Sequence, residues 1–580
     1  MGNNSKIIGK VSATEKNPST IDYFYFWMNS NNDDLSPFDV IMVENPNNSV
    51  TYAIVEEINH VTDSSSHFTS YISSEFGSLA NVESEQAGNT NRLSFSYVKA
   101  KVVHNTKNTY TPVLHDRPVC LCTPKGIREA LGLDDVKNPL TCGYMEMYGN
   151  KVKVDINDKF LIGPDGAHLN VSGISGLACK TSYTMFLLNA LQQKYRKAWE
   201  ESEDEDNKPQ KITYLVFNVK GRDLLTLDIP NEKLDETQKK IYREELGLEP
   251  EPFKQVYYYY PHGKNASRNY TQSNADKDDM DRQFIEKNAC RYFYNFESCR
   301  DKLQYLFANE PDPTGTIDSI ISYLMDYGHP FGPSVTTWEE FFKALNSVTI
   351  PGSTTLQGTN IQLASWKKFA RIMRKFQSED LFVDKGHEIT DKSDLALDLF
   401  DNMTPNDVKV IDIAQLDPFM QGFVFGDVIQ QVVERMSAKD KNTPDKIVIF
   451  VDELNKYAST DVPKSSPILR HLLDVAERGR ALGIILFSVE QFRSAIHERV
   501  KGNCANSAYG RTNFVEVTKP DYQFFGNIYK NMMTRLAPGD YIISNPALRS
   551  LVSIKFLRVV INVLTNLKRF HRPVSSSLSI

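Results

Sequence analysis

The chain has 580 residues, 41% of them hydrophobic and 24% charged, and a net charge of −7. This length suggests about four domains, or two or three with insertions, and the composition is that of an ordinary globular protein. It excludes a globally basic nucleic-acid binder, so any positive surface for nucleic acid has to be local, as in the lining of a pore.

No apolar run is long enough to span a bilayer, and the opening MGNNSKIIGK lacks the apolar core of a signal peptide. Lys6 stands where a myristoylation signal needs Ser or Thr. The seven cysteines are odd in number and scattered, and Cys120 and Cys122 are spaced for neither a zinc pair nor a redox pair. A reduced cytoplasmic protein with no membrane role is expected.

Residues 1–125 carry short runs rich in β-branched and aromatic residues, FDVIMVEN, VTYAIVEEI, LSFSYVKAKVV and TPVLHDRPVCLC. Asn, Ser, Asp and Gly clusters separate them, which predicts a small barrel or sandwich. The polar stretch SSEFGSLANVESEQAGNTN reads as a connection within it. A different rhythm occupies 155–230. FLIG and HLNVSG read as short buried strands, SYTMFLLNALQQKYRKAW as a helix, ESEDED as a surface loop and ITYLVFNV as another buried strand. Strand, helix, strand in that order predicts a parallel sheet. Residues 231–400 are polar and Tyr/Lys-rich with helical stretches, and predict a mostly helical insertion. The α/β rhythm resumes over 401–550 with VKVIDIAQ, the helix FGDVIQQVVERM, the strand KIVIFVDE, the helix SPILRHLLDVAERGRAL, the strand GIILFSVE and YIISNP. Residues 551–580 form a C-terminal segment.

Two elements carry chemistry. The first is the strand-to-helix turn Gly173-Ile-Ser175-Gly176-Leu-Ala178-Cys179-Lys180-Thr181-Ser182. Backbone amides at a Gly-rich turn and a helix N-terminus form an anion site, and a lysine completes it. The usual spacing wants glycine at 174 and 179, where this chain has Ile174 and Cys179. Small Ala178 and Cys179 still let the backbone approach a phosphate. By itself the turn fits an ordinary strand-turn-helix nearly as well. The second element is KIVIFVDELNKY, an apolar strand ending in Asp452 and Glu453. A nucleoside triphosphatase needs one acid at a buried strand's end to hold Mg2+ and another to polarise the attacking water. Thr181 would be the hydroxyl ligand to that metal. The pair, in this order, favours an ATP site with Lys180, Thr181, Asp452 and Glu453 at its centre.

Past the acids, Gln491 ends the next strand. It would contact the terminal phosphate or the attacking water, or hydrogen-bond a loop. Arg478 and Arg480 flank Gly479 near a helix end. Either they reach a neighbouring subunit's nucleotide as arginine fingers, or they are solvated charges favoured by the helix dipole. The helix WKKFARIMRKF places Lys367, Lys368, Arg371, Arg374 and Lys375 largely on one face, a phosphate-contacting surface or the solvent side of an amphipathic helix.

The β-rich N-terminus, the split α/β core, the strand ending Asp-Glu and ERGRALGIILFSVEQF together resemble HerA-type proteins, the FtsK-related hexameric ATPases and DNA translocases or helicases. The positions matching the family's stretch after the acids are Gly479, Arg480, Gly483 and Gln491. The resemblance covers most of the chain, the 231–400 segment least. It implies an α/β fold, a RecA-like P-loop core with a mainly parallel sheet and an N-terminal β-barrel. It implies a homo-hexameric ring with ATP and Mg2+ at subunit interfaces and duplex DNA in the channel. The barrel face would dock an effector, nuclease-like or Sir2-like and NAD-consuming. Many members carry Gly-x-x-Gly-x-Gly-Lys-Ser/Thr, whereas this chain has one more residue between Gly176 and Lys180. That departure resembles a bacterial subgroup found with anti-phage effectors, and it raises the alternative of an ATP-binding scaffold that gates its partner with little translocation. The C-terminal Lys568, Arg569, His571 and Arg572 form a basic cluster or a solvated tail.

Overall fold

The computed structural model describes residues 6–29, 35–63, 94–176, 178–203, 208–308, 310, 312, 315–350, 361–384, 392–394, 399–400, 403–440, 443–557 and 559–561. The polar connection 73–91 and the C-terminal basic cluster lie outside the described residues.

Six strands, β1 (Ile7–Val11), β2 (Tyr23–Met28), β3 (Val40–Glu44), β4 (Val50–Thr62), β5 (Ser94–Asn105) and β6 (Pro118–Leu121), close into a barrel in the order β1-β2-β5-β4-β3-β6. Their pairs are antiparallel. The period of two is plain in YFYFWM. Phe24 and Phe26 are buried inside with Val43, Val98 and Ala100, while Tyr23, Tyr25 and Trp27 face outward. Closure leaves no unpaired edge.

The rest of the chain builds one thirteen-stranded sheet. The hairpin β7 (Pro139–Met147) and β8 (Asn150–Asn157) comes first, then β9 (Leu169–Ser172), helix α1 (Lys180–Glu201) and β10 (Ile212–Asn218). Next come α2 (Glu236–Ile241), β11 (Val256–Pro261), β12 (Ala289–Phe293), α3 (Thr316–Met325), α4 (Trp338–Thr349), α5 (Leu363–Met373) and β13 (Lys392–Asp394). The chain continues through β14 (Val408–Asp412), α6 (Pro418–Ala438), β15 (Lys446–Asp452), α7 (Pro467–Leu482) and β16 (Ile484–Glu490). It closes with β17 (Asn506–Tyr509), β18 (Asp540–Ser544) and β19 (Val552–Lys555).

The spatial order is β13-β12-β11-β14-β10-β15-β16-β9-β17-β18-β19-β7-β8. From β13 to β17 the strands are parallel; from β17 to β8 they are antiparallel. β15 and β16 sit between β9 and β10, although β9 and β10 are consecutive, which is the strand order of a RecA-like core. Both faces are covered, so the central strands read as unbroken apolar runs. On one face Tyr214, Val216, Val448 and Phe450 pack with α1; on the other Leu215, Phe217, Ile447, Ile449 and Val451 pack with α6 and α7.

Three details differ from the sequence reading. Phe160 and Leu161 of the expected strand FLIG belong instead to a helical turn, Asp158–Leu161, because the Asn157 side chain accepts from the Lys159 amide and caps it. The segment 231–400, expected as a mostly helical insertion, also supplies β11, β12 and β13 to the sheet beside β14. The core sheet likewise runs past residue 550, since β19 lies at 552–555.

Candidate functional site

In a sheet of this kind ligands sit beyond the carboxyl ends of the parallel strands. There the turn after β9 and the acids after β15 converge. Gly173 leaves β9 with φ +152, and a Cβ at this position would stand 2.7 Å from Ala178 Cβ and 3.0 Å from the Arg511 carbonyl. No other residue fits. The turn is pinned on three sides. The Gly173 amide donates to the Glu490 carbonyl (3.3 Å), the Ile174 amide to the Arg511 carbonyl (2.7 Å), and the Tyr541 hydroxyl of β18 to the Ala178 carbonyl.

Cys179 sits just before α1 with φ +52, the left-handed conformation for which glycine is the default. This is the physical meaning of the displaced glycines. A small unbranched residue holds the glycine conformation at a cost of about 1 kcal/mol. Burial pushes the Cys179 thiol up to about 11, against the opposing pull of Lys180, so it is no nucleophile at neutral pH.

Lys180 opens α1 and is only 7% exposed. Its Nζ donates to the Gly173 carbonyl at 2.8 Å and reaches Ser175 Oγ at 3.4 Å. Burial lowers its pKa, and the charge of Asp452 works against that. Thr181, the next residue, donates its hydroxyl to Asp452 Oδ2 at 3.2 Å. The two motif elements therefore meet across 271 residues of sequence. Asp452 is buried, and its Oδ1 accepts no hydrogen bond among the described residues. An orphaned carboxylate oxygen beside a threonine hydroxyl fits a hydrated magnesium ion. Glu453 follows with φ +58, which swings it out of the strand direction to the half-buried rim.

Lys220, just past the end of β10, was missed from the sequence. Its Nζ lies 3.0 Å from Asp452 Oδ2 and 3.1 Å from Glu453 Oε1. Lys456 takes the other Glu453 oxygen at 2.8 Å. Burial opposes the ionisation of Glu453, but Lys456 and Lys220 outweigh it and hold the carboxyl below its usual range. The signal was present: a lysine two residues beyond a buried parallel strand lies at the same edge as the acids.

Gln491 lies exposed, one residue beyond β16. The buried side chain at that strand's end is Glu490, fully enclosed. It accepts from Asn170 of β9, and Arg493 also reaches Asn170. Burial pushes Glu490 up to about 8, partly offset by Arg493. Arg480 is also outside this cluster. It is exposed in the last turn of α7, and its Nη1 points to the Asp165 carbonyl at 3.4 Å. That is the amino edge of the sheet, beside Gly163 and Lys446. Lys446 and Asp452 are the two ends of β15, so about 20 Å separates Arg480 from its own acids. Arg478 pairs with Asp474 at 3.1 Å. Ser175 and Gly176 are exposed, and Ser182 is buried in the first turn of α1.

No helix among the described residues is long and apolar enough to cross a membrane. No protein-family model and no curated protein matches the chain. Among solved structures, it is similar to the bacterial conjugative coupling protein TrwB, with 11% identity over 74% of this chain and 92% of that one and a TM-score of 0.43. It is similar to VirB4 of Thermoanaerobacter pseudethanolicus, with 11% identity over 73% of this chain and 97% of that one and a TM-score of 0.40. A shorter likeness, 14% identity over 27% of this chain and 69% of the other with a TM-score of 0.20, is to the genome packaging NTPase B204 from Sulfolobus turreted icosahedral virus 2. These likenesses are distant, and the assignment of the site rests on its own geometry.

Proposed function

We propose that the chain is a P-loop ATPase of the FtsK/HerA superfamily, a HerA-type ring that translocates duplex DNA and works with a docked effector in anti-phage defence. One observation carries the ATPase reading, the meeting of Lys180, Thr181, Asp452 and Glu453 at one sheet edge. Lys180 would leave the Gly173 carbonyl for the terminal phosphates, and Thr181 with Asp452 would hold Mg2+. The metal, when bound, neutralises charge on those phosphates. Glu453 would orient the attacking water once Lys220 has given way. The catalytic set is then Lys180 and Glu453, with Arg480 acting across a subunit boundary.

The ring is supported by the position of Arg480, exposed at the opposite edge of the sheet from the acids of its own protomer. A DNA contact is supported by α5 and the helical turn Arg374–Phe376 that follows it. Lys367, Lys368, Arg371, Arg374 and Lys375 are exposed while Trp366, Phe369 and Ile372 are buried. The barrel exposes Ile7, Phe95 and Tyr110, apolar area that a docked protein would cover. A second reading, a nucleotide-gated scaffold, draws on Glu453 having both oxygens tied to lysines.

The deciding experiment is steady-state ATPase activity with and without duplex DNA. Lys180→Ala and Glu453→Gln should each cost roughly 10²-fold or more. Normal turnover in both variants would remove the ATPase reading. Turnover that duplex DNA neither stimulates nor makes salt-sensitive would favour the scaffold.

A further inference from the structure

The amino edge of the sheet carries a cavity of about 520 Å³, within the size range of small-molecule sites. It lies where β10 and β15 begin and where α6 and α7 end. No aromatic side chain lines it among the described residues, so nothing in it is built to stack a base. Its lining is cationic instead. Lys211 precedes β10, Lys439 follows α6, Lys446 opens β15 and Arg480 lies in the last turn of α7. None of the four has an ion-pair partner among the described residues.

Lys446 separates this cavity from a scatter of solvated lysines. It is only 7% exposed, and its Nζ donates to the Gly163 carbonyl at 3.0 Å. Burial lowers its pKa, against the pull of Asp158 and Asp445. Both acids are engaged elsewhere. Asp158 lies 2.6 Å from Lys194 Nζ, and Asp445 accepts from the Lys211 amide at 2.7 Å. Asp440, the other carboxylate of the lining, pairs with Arg435 at 3.3 Å. An enclosed cation is unfavourable until an opposite charge answers it. The helices answer part of this, since α6 and α7 both arrive by their carboxyl ends, each worth about half a negative charge. Four cations against two carboxylates and two helix ends still leave positive charge over.

We propose that this cavity binds a small phosphorylated ligand, held by the enclosed Lys446 and by the exposed Lys211 and Lys439. An ammonium meets a phosphate as a compact charge with three donors, and such charge-assisted hydrogen bonds are the strong ones. The three lysines belong to one protomer and lie at the opposite edge of the sheet from Lys180. The site is therefore separate from the phosphate turn, and it stands whether or not Arg480 acts on a neighbour.

The test is calorimetric titration of the full-length Lys180→Ala chain with inorganic pyrophosphate in the absence of Mg2+. One pyrophosphate should bind per chain. Adding Lys446→Met should weaken that binding at least tenfold, and adding Lys439→Gln about threefold. No binding to the Lys180→Ala chain, or binding that Lys446→Met leaves unchanged, overturns the assignment. Lysine acetylation of the wild type, read by peptide mass, needs no variant to fold. Pyrophosphate should slow the labelling of Lys211 and Lys439 and leave that of the exposed Lys464 unchanged. Labelling unaltered at all three overturns the proposal. Protection by duplex DNA and none by pyrophosphate also overturns it, and makes this edge a nucleic-acid surface.

Discussion

The two edges of the parallel sheet are built from the same strands and are chemically unlike. At the carboxyl edge, charge is enclosed and cross-tied: Lys180, Asp452 and Glu490 are buried, and Lys220 bridges Asp452 and Glu453. At the amino edge, Arg478 and Arg480 stand exposed near the end of α7. An enclosed set of opposite charges defines a place for a ligand. An exposed arginine about 20 Å from that place defines only a demand for one. The contrast separates an edge whose charges answer one another from an edge whose arginines are left to solvent.

The largest effect that would break this comparison is at Arg480. If Arg480 serves a neighbour, Arg480→Ala lowers turnover about 10³-fold while ATP binding persists. Mixing that variant with Lys180→Ala subunits should restore activity, because one kind of interface then has both groups. Normal turnover of Arg480→Ala alone would make the amino edge ordinary surface, and lost turnover with no recovery on mixing would confine the role of Arg480 to its own protomer.

The enclosure of the carboxyl edge is tested by pH. Glu490 is raised from the ordinary value of 4.5 to about 8, so between these values the folded chain keeps a proton that the unfolded chain has lost. Stability contributed by this group is therefore full below about pH 4.5 and is lost as pH rises to about 8, by roughly 1.4 kcal/mol per pH unit at most. Glu490→Gln should flatten that slope in urea unfolding. An unchanged slope would mean that Glu490 is solvated.

Smaller effects sharpen the picture of the turn. Cys179→Val places a β-branched residue at φ +52 and should destabilise by about 1–2 kcal/mol, whereas Cys179→Gly should be tolerated, as read by thermal unfolding. Smallest is Lys220→Ala. Its side chain is 47% exposed, so screening limits the loss of its ion pairs, and magnesium-dependent ATP binding should tighten about two- to five-fold. Weaker binding would make Lys220 a ligand-holding residue.

Much of this was readable before the structure. The barrel's alternation, the apolar runs of β10, β15 and β16, and the pairing of Lys180 and Thr181 with Asp452 and Glu453 all follow from residue patterns that one interaction dominates. What was not readable depends on burial of polar groups. β11 and β12 are written VYYYYP and ACRYF, which look like surface. In the fold Tyr258 and Tyr260 are enclosed, their hydroxyls on Asp228 and Gln283. A tyrosine's polarity conceals its place until its partner is known. The same holds at β16. Sequence favoured the amide Gln491 because a fully buried carboxylate at Glu490 needs Asn170 and Arg493 beside it, from strands and loops far away in the chain.

The antiparallel edge behind the phosphate turn is assembled from both halves of the polypeptide. Lys555 pairs with Glu146 across 409 residues, and Tyr541 braces Ala178 from the same late segment. At ribosomal rates of 5–20 residues per second, about 20–80 s elapse between the emergence of the first wall and the last. Throughout that interval the glycine turn and its lysine have no backstop. The turn is thus walled in only once β18 and β19 have emerged, and a nascent chain carries the turn's sequence well before it carries the turn's surroundings.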